Sequence, residues 1–200
     1  MRPILIIDFE ATCWGPDEFP PKPDGDRQYA NEIIEFGCAL LDEKGQAIEK
    51  TWQQYVMPVK HGRLTPFCTE LTGIEQTSVD TASIFPLVLE KFRDYFGIRD
   101  GAEPRFASWG NYDRNILLDD CAKHDAPYPF RAENHVNLKA EAVNALGLKR
   151  RMGVSRTLRA IEMEFEGRPH SGLDDARNIS RIAIEMIKRG WKPPVRKTLT

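Results

Sequence analysis

Ile4-Leu5-Ile6-Ile7-Asp8-Phe9-Glu10-Ala11-Thr12 is the stretch on which the reading of this chain turns. Four consecutive branched apolar residues predict a strand buried on both faces, the kind that lies centrally in an α/β sheet. Two acids follow at once. Side chains alternate across a strand, so Asp8 and Glu10 share a face at its C-terminal end. Two carboxylates in one small volume repel unless a cation lies between them, and hard divalent ions take carboxylate oxygens. A short D-x-E pair also arises where a strand merely surfaces into solvent. What decides is whether the rest of the chain supplies matching ligands.

Beyond this strand, 14–30 is a long loop rich in Pro, Asp and Gly (Pro16, Pro20, Pro21, Pro23, Asp24, Gly25, Asp26), starting beside the acids. A strand over Glu32–Leu41 and another over Ile48–Met57, joined by Asp42-Glu43-Lys44-Gly45, predict an antiparallel hairpin. Thr65, Pro66 and Gly73 have the positions of N-cap, first helical residue and C-terminal cap of a short helix. A longer helix is expected from about Thr81 or Ser83 to Phe96. A short strand Arg105–Ser108, a helix Asp113–Lys123, a strand His135–Leu138 and a helix Lys139–Leu146 follow. Ser155 is expected to cap a helix running to about Phe165, and Asp174–Arg189 to form the last. A hairpin followed by βα alternation predicts an α/β fold, a ribonuclease H-like mixed five-stranded sheet flanked by helices. The chain is read as one domain over 1–200, with its core at about 3–190 and a C-terminal tail at 191–200.

Composition bounds the function. The chain has 200 residues, 41% hydrophobic and 29% charged, as soluble globular proteins do. No apolar run approaches the roughly 18 residues a membrane span needs, so no membrane partner is expected. Met1-Arg2-Pro3 leads straight into the first strand, so no signal peptide is expected and the location is read as cytoplasmic. Cys13, Cys38, Cys68 and Cys121 include no C-x-x-C pair and are read as free thiols. A net charge of −2 is not that of a broadly basic nucleic-acid binder. Basic residues are local: Lys149-Arg150-Arg151, with Arg156 and Arg159.

Three further acids compete for the first site. Asp113 follows Ser108-Trp109-Gly110-Asn111-Tyr112 at a helix start, where open α/β sheets form their crevices; an acid there is also an ordinary cap. His170-Ser171-Gly172-Leu173-Asp174-Asp175 places a histidine in a loop ahead of two acids. Histidine exchanges a proton near neutrality, and a loop position lets it reach an attacking water. Asp174 and Asp175 point about 100° apart on a helix, so one of them faces the site. Asp8, Glu10, Asp113, His170 and one of Asp174 or Asp175 suit two hard metal ions and a general base for phosphoryl displacement. His61, His124 and His135 lack acids at comparable spacing.

Asp8-Phe9-Glu10-Ala11-Thr12-Cys13, Asp113 in its Trp-Gly-Asn-Tyr-Asp setting and His170-Ser171-Gly172-Leu173-Asp174-Asp175 together resemble the DEDDh 3′–5′ exonucleases. Gln53-Gln54-Tyr55-Val56, Phe67-Cys68-x-x-Leu71-Thr72-Gly73-Ile74 and Gly167-Arg168-Pro169-His170 make the chain similar to the branch that trims histone-mRNA and small-RNA 3′ ends, with its KapD-like bacterial relatives. The resemblance runs from about Ile4 to Ile187. It implies two Mg²⁺ ions, replaceable by Mn²⁺, held by Asp8, Glu10, Asp113 and Asp175, with His170 as general base and Glu10 beside it in catalysis. It assigns the ligand role to Asp175 over Asp174. It implies that Ala11, Thr12, Phe67, Leu71 and Trp109 meet the terminal nucleotide, although three residues separate Trp109 from Asp113 where some relatives have none. The expected partner is a nucleic acid 3′ end, RNA favoured over DNA, with release of nucleoside 5′-monophosphates. Alternatives are a DNA-directed exonuclease of the same fold and a non-catalytic nucleic-acid-binding module. A metal-free glycosidase carboxylate pair is separable from these by chelator sensitivity.

Overall fold

The structure is a computed structural model describing residues 2–18, 20–23, 25, 28–99 and 104–194. Its centre is the strand β1 (Ile4–Ala11), paired antiparallel with β2 (Ile33–Leu41) and parallel with β5 (Arg105–Ser108). β3 (Ile48–Met57) completes the expected hairpin with β2, and β6 (His135–Asn137) extends the sheet beyond β5. The strand order is β4-β3-β2-β1-β5-β6, with β4 at Ser83–Ile84. The mixed sheet flanked by helices is as expected, with one strand more. The sixth, β4 (Ser83–Ile84), pairs with the end of β3 where a helix start was expected. Pro86, in the first turn of α3 (Phe85–Phe96), explains the late start. A proline ring clashes with a preceding helical turn, so the helix cannot extend a turn upstream of Pro86; Phe85 is its first residue and Ile84 stays extended at φ −66°, ψ 159°.

Alternation along β1 sorts the core. Leu5, Ile7 and Phe9 pack with Phe36, Phe106 and residues of α3 and α4 (Tyr112–Lys123) on one face. Ile4 and Ile6 pack on the other with α5 (Leu138–Ala145), α6 (Val154–Ala160) and α7 (Gly172–Lys188). Phe36, Phe85, Phe92 and Phe106 are fully buried, each stabilising by about 1.5–3 kcal/mol. The result is a stiff floor under the C-terminal end of β1.

Helix ends follow local chemistry. α1 (Pro66–Thr72) is capped by Thr65, whose hydroxyl accepts from Cys68 N at 3.0 Å, and closes on Gly73 at φ 72°. A five-residue helix not anticipated from sequence, α2 (Gln76–Asp80), follows it. α6 starts one residue before Ser155, with Gly153 at its N-cap, and ends at Ala160, short of the expected Phe165. Glu162 adopts φ 61°, which breaks the helix and turns Met163 and Phe165 onto the core beside α7. In the 14–30 loop, Gly15 N donates to Glu18 at 2.7 Å, while Gln28 N and Tyr29 N donate to Asp119 of α4. Asp24 and Asp26 of that loop, and positions 195–200 of the tail, lie outside the described residues. The four cysteines are free thiols. No helix among the described residues is long and apolar enough to cross a membrane.

Candidate metal centre

The row that begins with Ile4 and Ile6 continues through Asp8 and Glu10, on the face covered by α7. α7 begins at that point and brings Asp175 in its first turn. Asp8, Glu10 and Asp175 each place a carboxylate oxygen within 4.8 Å of the others. β5 runs parallel to β1 with Ala107 opposite Ile6, so the chain leaving Ser108 emerges beside Asp8. There α4 starts, and buried Asp113 accepts from Phe9 N at 3.0 Å. All four acids therefore stand at one end of β1.

Their electrostatics are those of acids crowded together in a buried place. Burial first, then Asp113, Asp175, Glu10 and Glu35, push Asp8 well above the usual carboxylate range. Glu10 is raised to about 8 by burial, then by Glu35, Asp175 and Asp113. Burial also lifts Asp113 and Asp175 to about 6, against hydrogen bonds that pull the other way. Hard oxygen donors this crowded fit divalent cations, and no thiolate or imidazole belongs to the cluster.

The histidine loop is tied on both sides. His170 is exposed, sits at φ 62° and donates its backbone N–H to Asp175 Oδ2 at 2.7 Å. Asp174 faces away from the cluster: its Oδ2 accepts from Arg168 N at 2.9 Å and its Oδ1 pairs with Arg177. Gly167 is required there, since its φ is 84° and a Cβ would overlap Asp174 Oδ2. The Arg168 guanidinium crosses to α1 and donates to Glu70 O at 2.8 Å. A cleft of about 430 Å³ beside the loop is lined by His170, Asp175, Arg156 and Arg159. Lys149, Arg150 and Arg151 lie exposed in the preceding turn.

The remaining expected contact residues are placed unevenly. Phe67 and Leu71, four apart on α1, are half-buried, and Gly15 packs against Phe67. Ala11 and Thr12 are buried, and the Thr12 hydroxyl accepts from Glu32 N at 2.9 Å. Trp109 packs against the core on the α7 side and donates its indole N–H to Met152 O at 2.9 Å. Tyr112, one residue before Asp113, is instead 38% exposed and packs edge-on to Tyr29. Sequence reasoning missed Tyr112, and it missed Glu35, a buried acid paired across from Glu10. The signal for Glu35 was present: an acid inside the apolar run Ile33-Ile34-Glu35-Phe36 is the same anomaly that marked Asp8.

Comparison with known proteins agrees with this arrangement. The exonuclease family of RNase T type matches residues 5–183. The 3′-5′ exoribonuclease 1 of Rattus norvegicus is 36% identical over 201 residues, covering 98% of this chain and 56% of the relative. Its Homo sapiens counterpart is 37% identical over 192 residues, covering 94% and 53%. The chain thus spans about half the length of these curated relatives. Among solved structures, the nuclease domain of 3′hExo, a DEDDh family member bound to rAMP, superposes with a TM-score of 0.84 at 35% identity, covering 98% of this chain and 96% of that one. A 3′-exonuclease solved in 3′-end specific recognition of the histone mRNA stem-loop gives 0.80 at 35% identity, covering 94% and 83%. With residues 5–183 matched and the acids gathered on one sheet end, the chain belongs to the exonuclease family.

Proposed function

We propose that the chain is a metal-dependent 3′–5′ exonuclease acting on single-stranded RNA or 3′ overhangs and releasing nucleoside 5′-monophosphates. The observation that carries this is the convergence of Asp8, Glu10 and Asp175 within 4.8 Å, flanked by Asp113 and His170. Asp8, Glu10, Asp113 and Asp175 would hold two Mg²⁺ ions, replaceable by Mn²⁺, which when bound supply charge stabilisation at the scissile phosphate. His170 accepts the proton of the attacking water. Asp175 accepts the His170 backbone N–H, and that bond fixes where the imidazole starts from. Phe67 and Leu71 form one wall for the terminal base, and exposed Tyr112 is better placed than Trp109 to supply an aromatic face. Arg156 and Arg159 offer phosphate contacts beside His170.

RNA is favoured because the named relatives are exoribonucleases and one neighbouring structure concerns a histone mRNA stem-loop. Matched ribo- and deoxyribo-oligonucleotides, with Mg²⁺ and with EDTA, test the proposal. Mg²⁺-dependent shortening from the 3′ end, faster on the ribo-oligonucleotide, is expected. Shortening that persists in EDTA contradicts the metal requirement, and equal rates on both strands contradict the RNA preference.

A further inference from the structure

Glu35 lies in β2, buried on both faces, and is 1% exposed. A buried carboxylate without partners is costly by several kcal/mol, so its donors define its role. Gln53 on β3 donates to Oε1 at 2.7 Å, and Gly172 N donates to Oε2 at 3.2 Å. The Leu173 backbone N–H also lies near the carboxylate and favours its charged form. Gly172 and Leu173 open the 17-residue helix α7. The first N–H groups of a helix lack partners within it, and a side chain at the N-cap ordinarily takes them. Ser171 occupies that position without making a side-chain cap bond. The acceptor comes instead from a strand far away in sequence.

The surrounding geometry is fitted to this joint. Glu35 pairs across from Glu10, and Gly37 pairs across from Asp8. A Cβ on Gly37 would overlap the Gly172 carbonyl carbon, and one on Gly172 would come 2.9 Å from Asp8 O and 3.3 Å from Glu35 Cδ. The helix start therefore rests directly on the backbone of β1 and β2. Asp175 lies three residues beyond the joint and His170 two residues before it. Both Glu35 oxygens accept from neutral donors, and Glu35 is not among the acids gathered within 4.8 Å at the metal cluster, so the group orients other residues.

We infer that Glu35 is a positioning residue: by capping α7 from β2, it sets Asp175 and His170 against Asp8 and Glu10. The role rests on the exonuclease reading above. Groups that orient ligands in this way are worth about 10–100-fold in activity or metal affinity, and a misplacement of about 1 Å can cost about 100-fold. Glu35 acts through α7 and not on the substrate, so its loss falls on kcat.

The test follows backbone amide exchange at Gly172 and Leu173 by NMR, with kcat and KM on a ribo-oligonucleotide in Mg²⁺. In the wild-type protein both amides are expected to be protected like those of the α7 interior. Glu35→Met keeps the volume and removes the acceptors; kcat is expected to fall about 10–100-fold, KM to stay within about twofold, and both amides to exchange faster. Glu35→Gln keeps one acceptor for Gly172 while Gln53 turns its amide to match, and should stay within about threefold of wild type. Unprotected Gly172 and Leu173 amides in the wild type overturn the inference without any variant. So does Glu35→Met with wild-type kcat and exchange, or Glu35→Gln as impaired as Glu35→Met. Asp8→Asn separates the two readings: it should abolish hydrolysis and leave Gly172 protected. Hydrolysis that survives in Asp8→Asn overturns the exonuclease reading, while amide exchange still decides Glu35.

Discussion

Asp8 is a buried carboxylate crowded by other carboxylates. Removing its charge should therefore have opposite effects on stability and activity. Asp8→Asn is expected to raise the melting temperature of the metal-free protein by about 2–4 °C for each kcal/mol of relieved repulsion. It should also lower kcat by about 1,000-fold or more, several kcal/mol of lost transition-state stabilisation. Calorimetry and oligonucleotide hydrolysis check the two together, and a variant that is both active and no more stable contradicts the assignment. His170→Ala should lose about 10²–10⁴-fold in kcat, the range of general base catalysis. It should keep the melting-temperature gain on Mg²⁺ addition, because its side chain is outside the acid cluster. The acid pair was readable in the sequence because alternation along a strand forces Asp8 and Glu10 together. The exposure of Tyr112 and the tether from Trp109 to Met152 were not readable, because both depend on how the chain packs after Ser108.

Among the elements, α7 decides whether the site exists, since it alone carries Asp175 and is joined to His170. Its seat on β2 depends on the bare backbone at Gly37. Gly37→Ala should displace the helix start, costing about 1–3 kcal/mol in stability by overpacking and reducing activity as well. Urea unfolding and kcat measured on the same preparation check this; wild-type values for both contradict the seat. Caps were readable from sequence wherever a side chain announces them, as Thr65, Pro66 and Gly73 do for α1. They failed where backbone geometry decides. Ser155 looks like a cap, yet Gly153 precedes the helix and the left-handed Glu162 ends it. β4 was unreadable for a related reason: two residues have no periodicity, and only pairing with Val56 and Met57 makes them a strand.

The folded chain as a whole holds protons that the unfolded chain releases. Glu10 is raised from 4.5 to about 8, and Asp113 and Asp175 from 3.8 to about 6. Between those limits the native state binds more protons at these three acids, so their contribution to the stability of the metal-free protein falls as pH rises through that range. Mg²⁺ requires the deprotonated acids, so its stabilisation should be larger at pH 8 than at pH 5. Thermal melts with Mg²⁺ and with EDTA at the two pH values test this, and an equal gain at both contradicts it. The most direct measurement is hydrolysis of single-stranded RNA in ¹⁸O-labelled water with Mg²⁺, with the released mononucleotides read by mass spectrometry. Nucleoside 5′-monophosphates leaving from the 3′ end with one ¹⁸O in each phosphate are expected, and none from Asp175→Asn. Nucleoside 3′-phosphates, 2′,3′-cyclic products or release undiminished by EDTA would contradict the proposed reaction.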